Sequence, residues 1–507
     1  MKNKKTIVFT TLFYALLFLS LCIFMSTLWT IDNFGNVKTD QILYTLLSSL
    51  DGTDNSVVIS YLLKGLLVPL VVCCLIGFLH FKFNEKLDKK IKIIVNVCVC
   101  ITLLGSVFYA DNQFGIINYI KNSNQKTDIY TQKKKKKKEK KEEDDIGDET
   151  IIYADPKNVE ITGEKTNNLV YIYLESYENS FMDVENGGIK QVNCLPELTQ
   201  LAKENISFSN TDKMGGALAF TGTTWTIGSM VGQSAGLPLK TEVASTMGDY
   251  ANFMPGALMI GDILAQKGYV QEFMIGSTAT FAGTDKMFKQ HGNYEIVDYP
   301  VLKSEGRTQK GDYCYWGIND RALFRNAKDK LNELASRGQK FNFTMATIDC
   351  HTTDGIHCSS CPTTYSNQYE NIYACQSILV NDFINWCKQQ SWYANTTIII
   401  VGDHNTMAAE YTKDIPTDYE RTTYNCFINS KVSTENIKNR QFSRMDMFPT
   451  TLAAMGFDIK GNKLALGTNL FSKLPTTIEK YGIEYIEQEV QKSSDYLDEN
   501  IYKFNEQ

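Results

Sequence analysis

Apolar positions are distributed unevenly along the chain. Residues 7–29 carry no charge, and residues 57–81 and 93–110 are nearly as apolar. Each run is about as long as a bilayer-spanning helix, for which ~20 residues suffice. Three membrane helices are therefore expected, at about 7–29, 57–81 and 93–110, within a membrane domain of residues 1–110. The first run exceeds the apolar core of a signal peptide and no small-residue cleavage site follows it, so all three are read as retained. Lys64 interrupts the second run, where its stem can snorkel toward the outer surface.

Beyond residue 160 the pattern changes. Strand-like runs at 168–174, 205–209, 269–275, 341–348 and 396–402 alternate with helix-like segments at 195–203, 225–236, 257–267, 318–334, 368–389 and 446–455. Such alternation predicts one large α/β domain over residues 161–475, with a mostly parallel central sheet flanked by helices. Residues 476–507 are polar with scattered aromatics and read as a terminal helix or C-terminal tail. Between membrane and domain, residues 111–160 read as a charged linker. Its run from Lys133 to Asp145 (KKKKKKEKKEEDD) has blocks of both signs and no core-forming residues.

Charge adds orientation. Lys2, Lys4 and Lys5 precede the first span, and Lys82, Lys86, Lys89, Lys90 and Lys92 separate the second from the third. The loop between the first two spans holds Lys38 among Asp32, Asp40, Asp51 and Asp54. The positive-inside rule puts the N-terminus in the cytoplasm, and three crossings put the large domain outside. A net charge of −6 says little about partners, and nucleic-acid binding is a poor reading for the mixed-sign run outside the cell. Of the 13 cysteines, Cys22, Cys73, Cys74, Cys98 and Cys100 lie in the apolar spans. Cys194, Cys314, Cys350, Cys358, Cys361, Cys375, Cys387 and Cys426 lie in the domain, where an oxidising compartment permits disulfides. Cys358-Ser-Ser-Cys361 has no second CxxC to complete a zinc site. A structural disulfide is expected there, with pairing that sequence leaves open.

The chemistry gathers at strand ends. TTIIIVGDHN (Thr396 to Asn405) is a buried-strand pattern that stops in Asp403-His404, and NLVYIYLES (Asn168 to Ser176) stops in Glu175. Ligands of open α/β sheets collect just past the carboxyl ends of strands. Carboxylates and an imidazole delivered there suit a divalent cation.

LESYE around Glu175, GTTWTIGSM around Thr224, the Asp349-Cys350-His351 step, VGDHN, RMDMFPTTLAAMG (Arg444 to Gly456) and LALGTNLFS (Leu464 to Ser472) come in an order that resembles the alkaline phosphatase/sulfatase superfamily. Within it they are most similar to the membrane-anchored phosphoglycerol transferases, which include the lipoteichoic acid synthases and the periplasmic-glucan enzymes. TTWTIGSMVGQSAGLPL, FAGTDKMFKQHG, WGINDRALF and IDCHTTDG look more like the glucan-modifying branch. The resemblance spans roughly residues 165–473.

It implies a divalent metal, manganese first with magnesium or zinc as alternatives, held by Glu175, Thr224, Asp403 and His404, with Thr224 as nucleophile. A threonine hydroxyl is too basic to attack unaided at neutral pH, and coordination to a cation lowers its pKa. Thr221, Thr223, Thr224 and Thr226 crowd one stretch; spacing from Gly222 favours Thr224, with Thr223 next. Glu178 competes with Glu175, whose place directly after the strand favours it. His351 takes the family's phosphoglycerol-contacting position. The stretch Phe281 to Asp285 lacks the Trp and Arg that lipoteichoic acid synthases use there, leaving Lys286, Arg321 and Trp316 as replacements.

The resemblance thus implies an enzyme of the bacterial plasma (inner) membrane with a periplasmic or extracellular catalytic domain. It would transfer phosphoglycerol from phosphatidylglycerol to an envelope glycan through a phosphoglycerol-threonine, releasing diacylglycerol. A phosphoethanolamine transferase of the same superfamily would differ in its donor lipid. A non-catalytic envelope-assembly protein would be expected to lack a metal ligand. The sulfatase C/S-x-P-x-R pattern is absent from the nucleophile region.

Overall fold

A computed structural model describes residues 4–35, 37–47, 55–83, 89–131, 151–240, 251–351 and 355–503. The charged run Lys133–Asp145 lies outside them. The chain divides into two units, Met1–Thr39, Leu50–Lys121 and Met407–Asp414 in one, and Asp40–Ser49, Asn122–Thr406 and Ile415–Gln507 in the other.

The first unit is helical. Thr10–Phe34, Ser56–Leu79 and Ile93–Phe114 are long and apolar enough to cross a membrane, and they fall on the three apolar runs. Some of their polar side chains pair with each other: Ser20 Oγ lies 3.1 Å from Ser106 Oγ, and Trp29 Nε1 donates to Ser60 Oγ at 3.0 Å. Such pairing satisfies hydroxyls that lipid cannot.

The second unit is built on six strands: β1 (Asn168–Leu174), β2 (Val270–Ile275), β3 (Glu295–Val297), β4 (Phe341–Ala346), β5 (Thr396–Gly402) and β6 (Asn425–Ile428), in the order β3-β2-β4-β1-β5-β6. All pairings are parallel except β5 with β6. Every residue of β4 and β5 is buried, which is why both read as unbroken apolar runs rather than alternating ones. Leu169, Tyr171 and Tyr173 share a core with Met230 of the Thr226–Ala235 helix and with Phe448 and Leu452 of the Met447–Met455 helix. The helices Asp320–Ser336 and Gln368–Cys387 pack on each other through Phe324 and Phe383, ring centroids 5.3 Å apart.

One expected strand came out differently. The 205–209 run makes no sheet strand, only an isolated bridge from Ile206 to Phe427. The structural disulfide expected at Cys358-Ser-Ser-Cys361 is formed by Cys361 with Cys375, while Cys358 remains a thiol. The polar 476–507 stretch forms the helices Thr477–Tyr481 and Ile483–Gln491. It buries Ile486, Val490, Leu497, Ile501 and Tyr502 in the same core as the sheet.

Candidate active site

The parallel register sets Asn168 beside Thr396 and Leu174 beside Gly402, so β1 and β5 end side by side. Gly402 is required at that end, because a Cβ there would sit 1.9 Å from the Tyr177 carbonyl oxygen. Glu175 and Asp403 follow directly on their strands and are forced together at the carboxyl edge of the sheet. Ser176 turns the chain away with φ at +53°, a backbone conformation uncommon for a residue with a Cβ. Its N–H donates to Asp403 Oδ1 at 2.7 Å and its hydroxyl to Glu175 Oε1 at 2.6 Å. His404 N–H also donates to Asp403 Oδ1, at 2.6 Å.

Glu175, Asp403 and His404, all buried, each turn a ligand-type atom toward one point. His404 Nε2 lies 3.4 Å from Glu175 Oε1 and 3.5 Å from Asp403 Oδ2. Its Nδ1 faces the Asn405 carbonyl at 3.0 Å. A proton on Nδ1 is used by that carbonyl, which leaves Nε2 with a lone pair for a cation. Burial, and then the neighbouring Asp403 carboxylate, raises the Glu175 pKa above the usual carboxylate range. Two buried carboxylates repel each other unless a positive charge lies between them.

A threonine hydroxyl also reaches this cluster, that of Thr226 rather than of Thr224. Thr226 Oγ1 lies 3.4 Å from Glu175 Oε2 and 3.3 Å from His404 Nε2. Thr224 instead turns its hydroxyl toward Asp40, at 3.4 Å. Thr223 folds back on its own turn, donating to the Phe220 carbonyl at 2.9 Å, and Thr221 donates to Glu487 at 2.8 Å. Thr224, expected as metal ligand and nucleophile, thus lies against Asp40, and Thr226 is the threonine beside Glu175 and His404. The reason is local: Thr226 is the first residue of the Thr226–Ala235 helix, where unpaired backbone N–H groups and the positive end of the dipole meet an anion.

These oxygen and nitrogen atoms approach His404 Nε2 or the Thr226 hydroxyl to 3.3–3.5 Å, close enough for one cation to bind several of them together. Two carboxylates, an imidazole and a hydroxyl fit a divalent ion in charge, donor type and spacing. They do not select among manganese, magnesium and zinc.

The sequence reading missed Arg444. It is fully buried; Nη1 donates to the Thr223 carbonyl at 3.0 Å and Nη2 to Asn405 Oδ1 at 2.9 Å. It ties the threonine turn to the Asp403-His404-Asn405 loop, and burial lowers its pKa to about 10. Glu178, the competitor of Glu175, is committed elsewhere, in an ion pair of 2.7 Å with Arg421. His351 is outside the cluster and lies against Trp316, ring centroids 4.5 Å apart. Arg321 donates to Cys358 Sγ at 3.2 Å.

Residues 167–457 match the sulfatase family. Phosphoglycerol transferase I of Salmonella choleraesuis (strain SC-B67) is 27% identical over 457 residues, 88% of this chain and 54% of the relative. The chain thus spans about half the length of the curated relatives it matches. Among solved structures, an alkaline phosphatase superfamily protein from Vibrio parahaemolyticus is 20% identical with a TM-score of 0.49, covering 63% of this chain and 74% of that one. The lipoteichoic acid synthase LtaP from Listeria monocytogenes is 16% identical with a TM-score of 0.48, covering 62% and 80%. The family match takes in more than half of the residues, the two central strand ends and the Thr226 helix, and on it the chain belongs to the sulfatase family.

Proposed function

We propose that the protein transfers phosphoglycerol from phosphatidylglycerol to an envelope glycan through a covalent phosphoglycerol-Thr226 intermediate. The observation that carries this reading is the Thr226 hydroxyl at a helix N-terminus, 3.3–3.4 Å from Glu175 and His404. Glu175, Asp403, His404 and the Thr226 hydroxyl would hold a divalent cation, manganese first among the candidates. Bound there, the cation supplies a lowered pKa for the threonine hydroxyl and polarisation of the phosphoryl group.

Thr226 Oγ1 attacks phosphorus, the bond from phosphorus to the diacylglycerol oxygen breaks, and the glycerol-bearing phosphoryl group stays on the threonine. The backbone N–H groups of the first turn stabilise the charge spread over the phosphoryl oxygens. His351, held against Trp316, contacts the phosphoglycerol group and gives a proton to the departing diacylglycerol oxygen, work suited to an imidazole near neutral pH. An acceptor hydroxyl then displaces Thr226 in a second step. The three apolar helices would hold the catalytic domain at the outer face of the bacterial plasma membrane, which keeps a lipid donor at high effective concentration.

The test is diacylglycerol release by the full-length protein in vesicles of phosphatidylglycerol or phosphatidylethanolamine. Turnover of phosphatidylglycerol alone, abolished by chelation and restored by manganese, is expected. Turnover of phosphatidylethanolamine alone would move the donor to that lipid and overturn the phosphoglycerol assignment.

A further inference from the structure

The stretch just before Thr226 is held residue by residue from outside the family-matched region. Asp40 lies in the sequence between the first two apolar helices, yet Asp40–Ser49 clusters with the sulfatase-like unit. Asp40 Oδ2 accepts the Gly222 N–H at 2.9 Å and the Thr224 hydroxyl at 3.4 Å. Gln41 Nε2 donates to the Thr224 carbonyl at 3.1 Å, and Tyr44 stacks on Trp225 with centroids 4.8 Å apart and rings 20° from parallel. On the other flank, Glu487 of the Ile483–Gln491 helix accepts the Thr221 N–H at 3.0 Å and its hydroxyl at 2.8 Å. Thr221, Gly222, Thr224 and Trp225 are all gripped, and Thr226 is the first residue beyond the grip.

Asp40 is only 1% exposed. A buried carboxyl needs donors aimed at it, and here a backbone N–H and a hydroxyl converge on one of its oxygens. The turn it holds is tight. Gly222 has φ at +80° and a Cβ there would meet the Leu239 carbonyl at 2.6 Å, so the position demands the residue with the most backbone freedom to lose.

We infer that Asp40, with Gln41 and Tyr44, is a positioning element of the active site: it fixes the Gly222–Trp225 turn and so aims the Thr226 hydroxyl at the reacting phosphorus. This rests on the proposed role of Thr226. The site is then incomplete without a segment that lies outside residues 167–457, the range of the family match. Misplacing an attacking oxygen by even ~1 Å costs on the order of 10²-fold in rate.

The experiment uses the full chain with Asp40→Ala and Asp40→Asn and reads two quantities. In hydrogen exchange, Asp40→Ala should speed exchange of a peptide covering 218–225 at least tenfold while the interior of the Thr226–Ala235 helix is unchanged. In diacylglycerol release it should lower kcat tenfold or more with KM within twofold, and Asp40→Asn, which keeps an acceptor for the Gly222 N–H, should recover most of both. Unchanged exchange in Asp40→Ala overturns the inference whatever the activity does. Faster exchange with kcat intact also overturns it, because the grip would then have no catalytic consequence. If the wild-type chain releases diacylglycerol from neither lipid, the donor assignment fails, and kcat is read instead on a chromogenic phosphodiester. An equal fall in Asp40→Ala and Asp40→Asn, with melting temperature falling alike, identifies a folding role and refutes positioning.

Discussion

Replacing each of two neighbouring threonines by valine separates the two assignments of the attacking hydroxyl. Valine keeps the shape and the β-branching, so only the oxygen is removed. Thr226 loses contacts of 3.3 and 3.4 Å, both longer than the usual range, so Thr226→Val should change stability by no more than about 1 kcal/mol. Its rate should fall at least about 10³-fold, since no group remains to form the covalent intermediate. Thr224 loses one contact of 3.4 Å to Asp40. Even if all of a net hydrogen bond of about 0.5–1.5 kcal/mol were expressed in the transition state, Thr224→Val should slow the reaction only about 2- to 12-fold. The assay is diacylglycerol release from phosphatidylglycerol vesicles, with mass spectrometry of the peptide around residues 220–235 when acceptor is withheld. Thr226→Ser should keep measurable activity and the adduct. Thr226→Val within tenfold of wild type, or an adduct mapped to Thr224, would refute the reasoning.

Arg444→Met should cost only about 1–3 kcal/mol of stability, because it frees the Thr223 carbonyl and the Asn405 amide oxygen but also removes a buried charge. Its activity should drop tenfold or more, checked by thermal unfolding beside steady-state rates; an unchanged kcat in a folded protein counts against the tie it is said to make. Glu272 on β2 is 1% exposed, and burial, then the charge of Glu295, raises it from 4.5 to about 8. A carboxyl raised in the folded state contributes fully below its unfolded pKa, and that contribution is lost as pH rises through the folded value. Glu272→Gln should therefore melt level with wild type near pH 4.5 and gain on the order of 1–4 kcal/mol by pH 8–9, and a gap that is constant with pH would exclude the linkage.

The convergence of Glu175 with Asp403-His404 was legible because parallel strands buried on both faces leave no alternative to a continuous apolar run, and such runs announce where they stop. The choice among four threonines within six positions was not legible. Their hydroxyls are sorted by partners distant in sequence, Glu487 for Thr221 and Asp40 for Thr224, and no local spacing encodes a partner some 180–270 residues away. Arg444 stands just before the run read as helix at 446–455, in the short turn Arg444–Asp446, where a buried guanidinium leaves no periodic signature. The short strands Glu295–Val297 and Asn425–Ile428 offer three and four residues, too few for a period to declare itself, whereas 205–209 had the right composition without a neighbour to pair with along its length. Cys361 found its partner on the Gln368–Cys387 helix rather than in its own CxxC, a choice set by tertiary approach.

These misses share a cause that bears on mechanism. Strand tips deliver Glu175 and the Asp403-His404 pair by local rules. The nucleophile turn obeys no such rule: its backbone includes a left-handed glycine at +80°, its side chains scatter, and its geometry is set from outside by Asp40, Glu487 and Arg444. A site divided in this way can keep its metal chemistry while the segments around the turn change. Substitutions at Asp40, Gln41 or Tyr44 should then alter rate without altering cation affinity, whereas substitutions at Glu175, Asp403 or His404 should alter both.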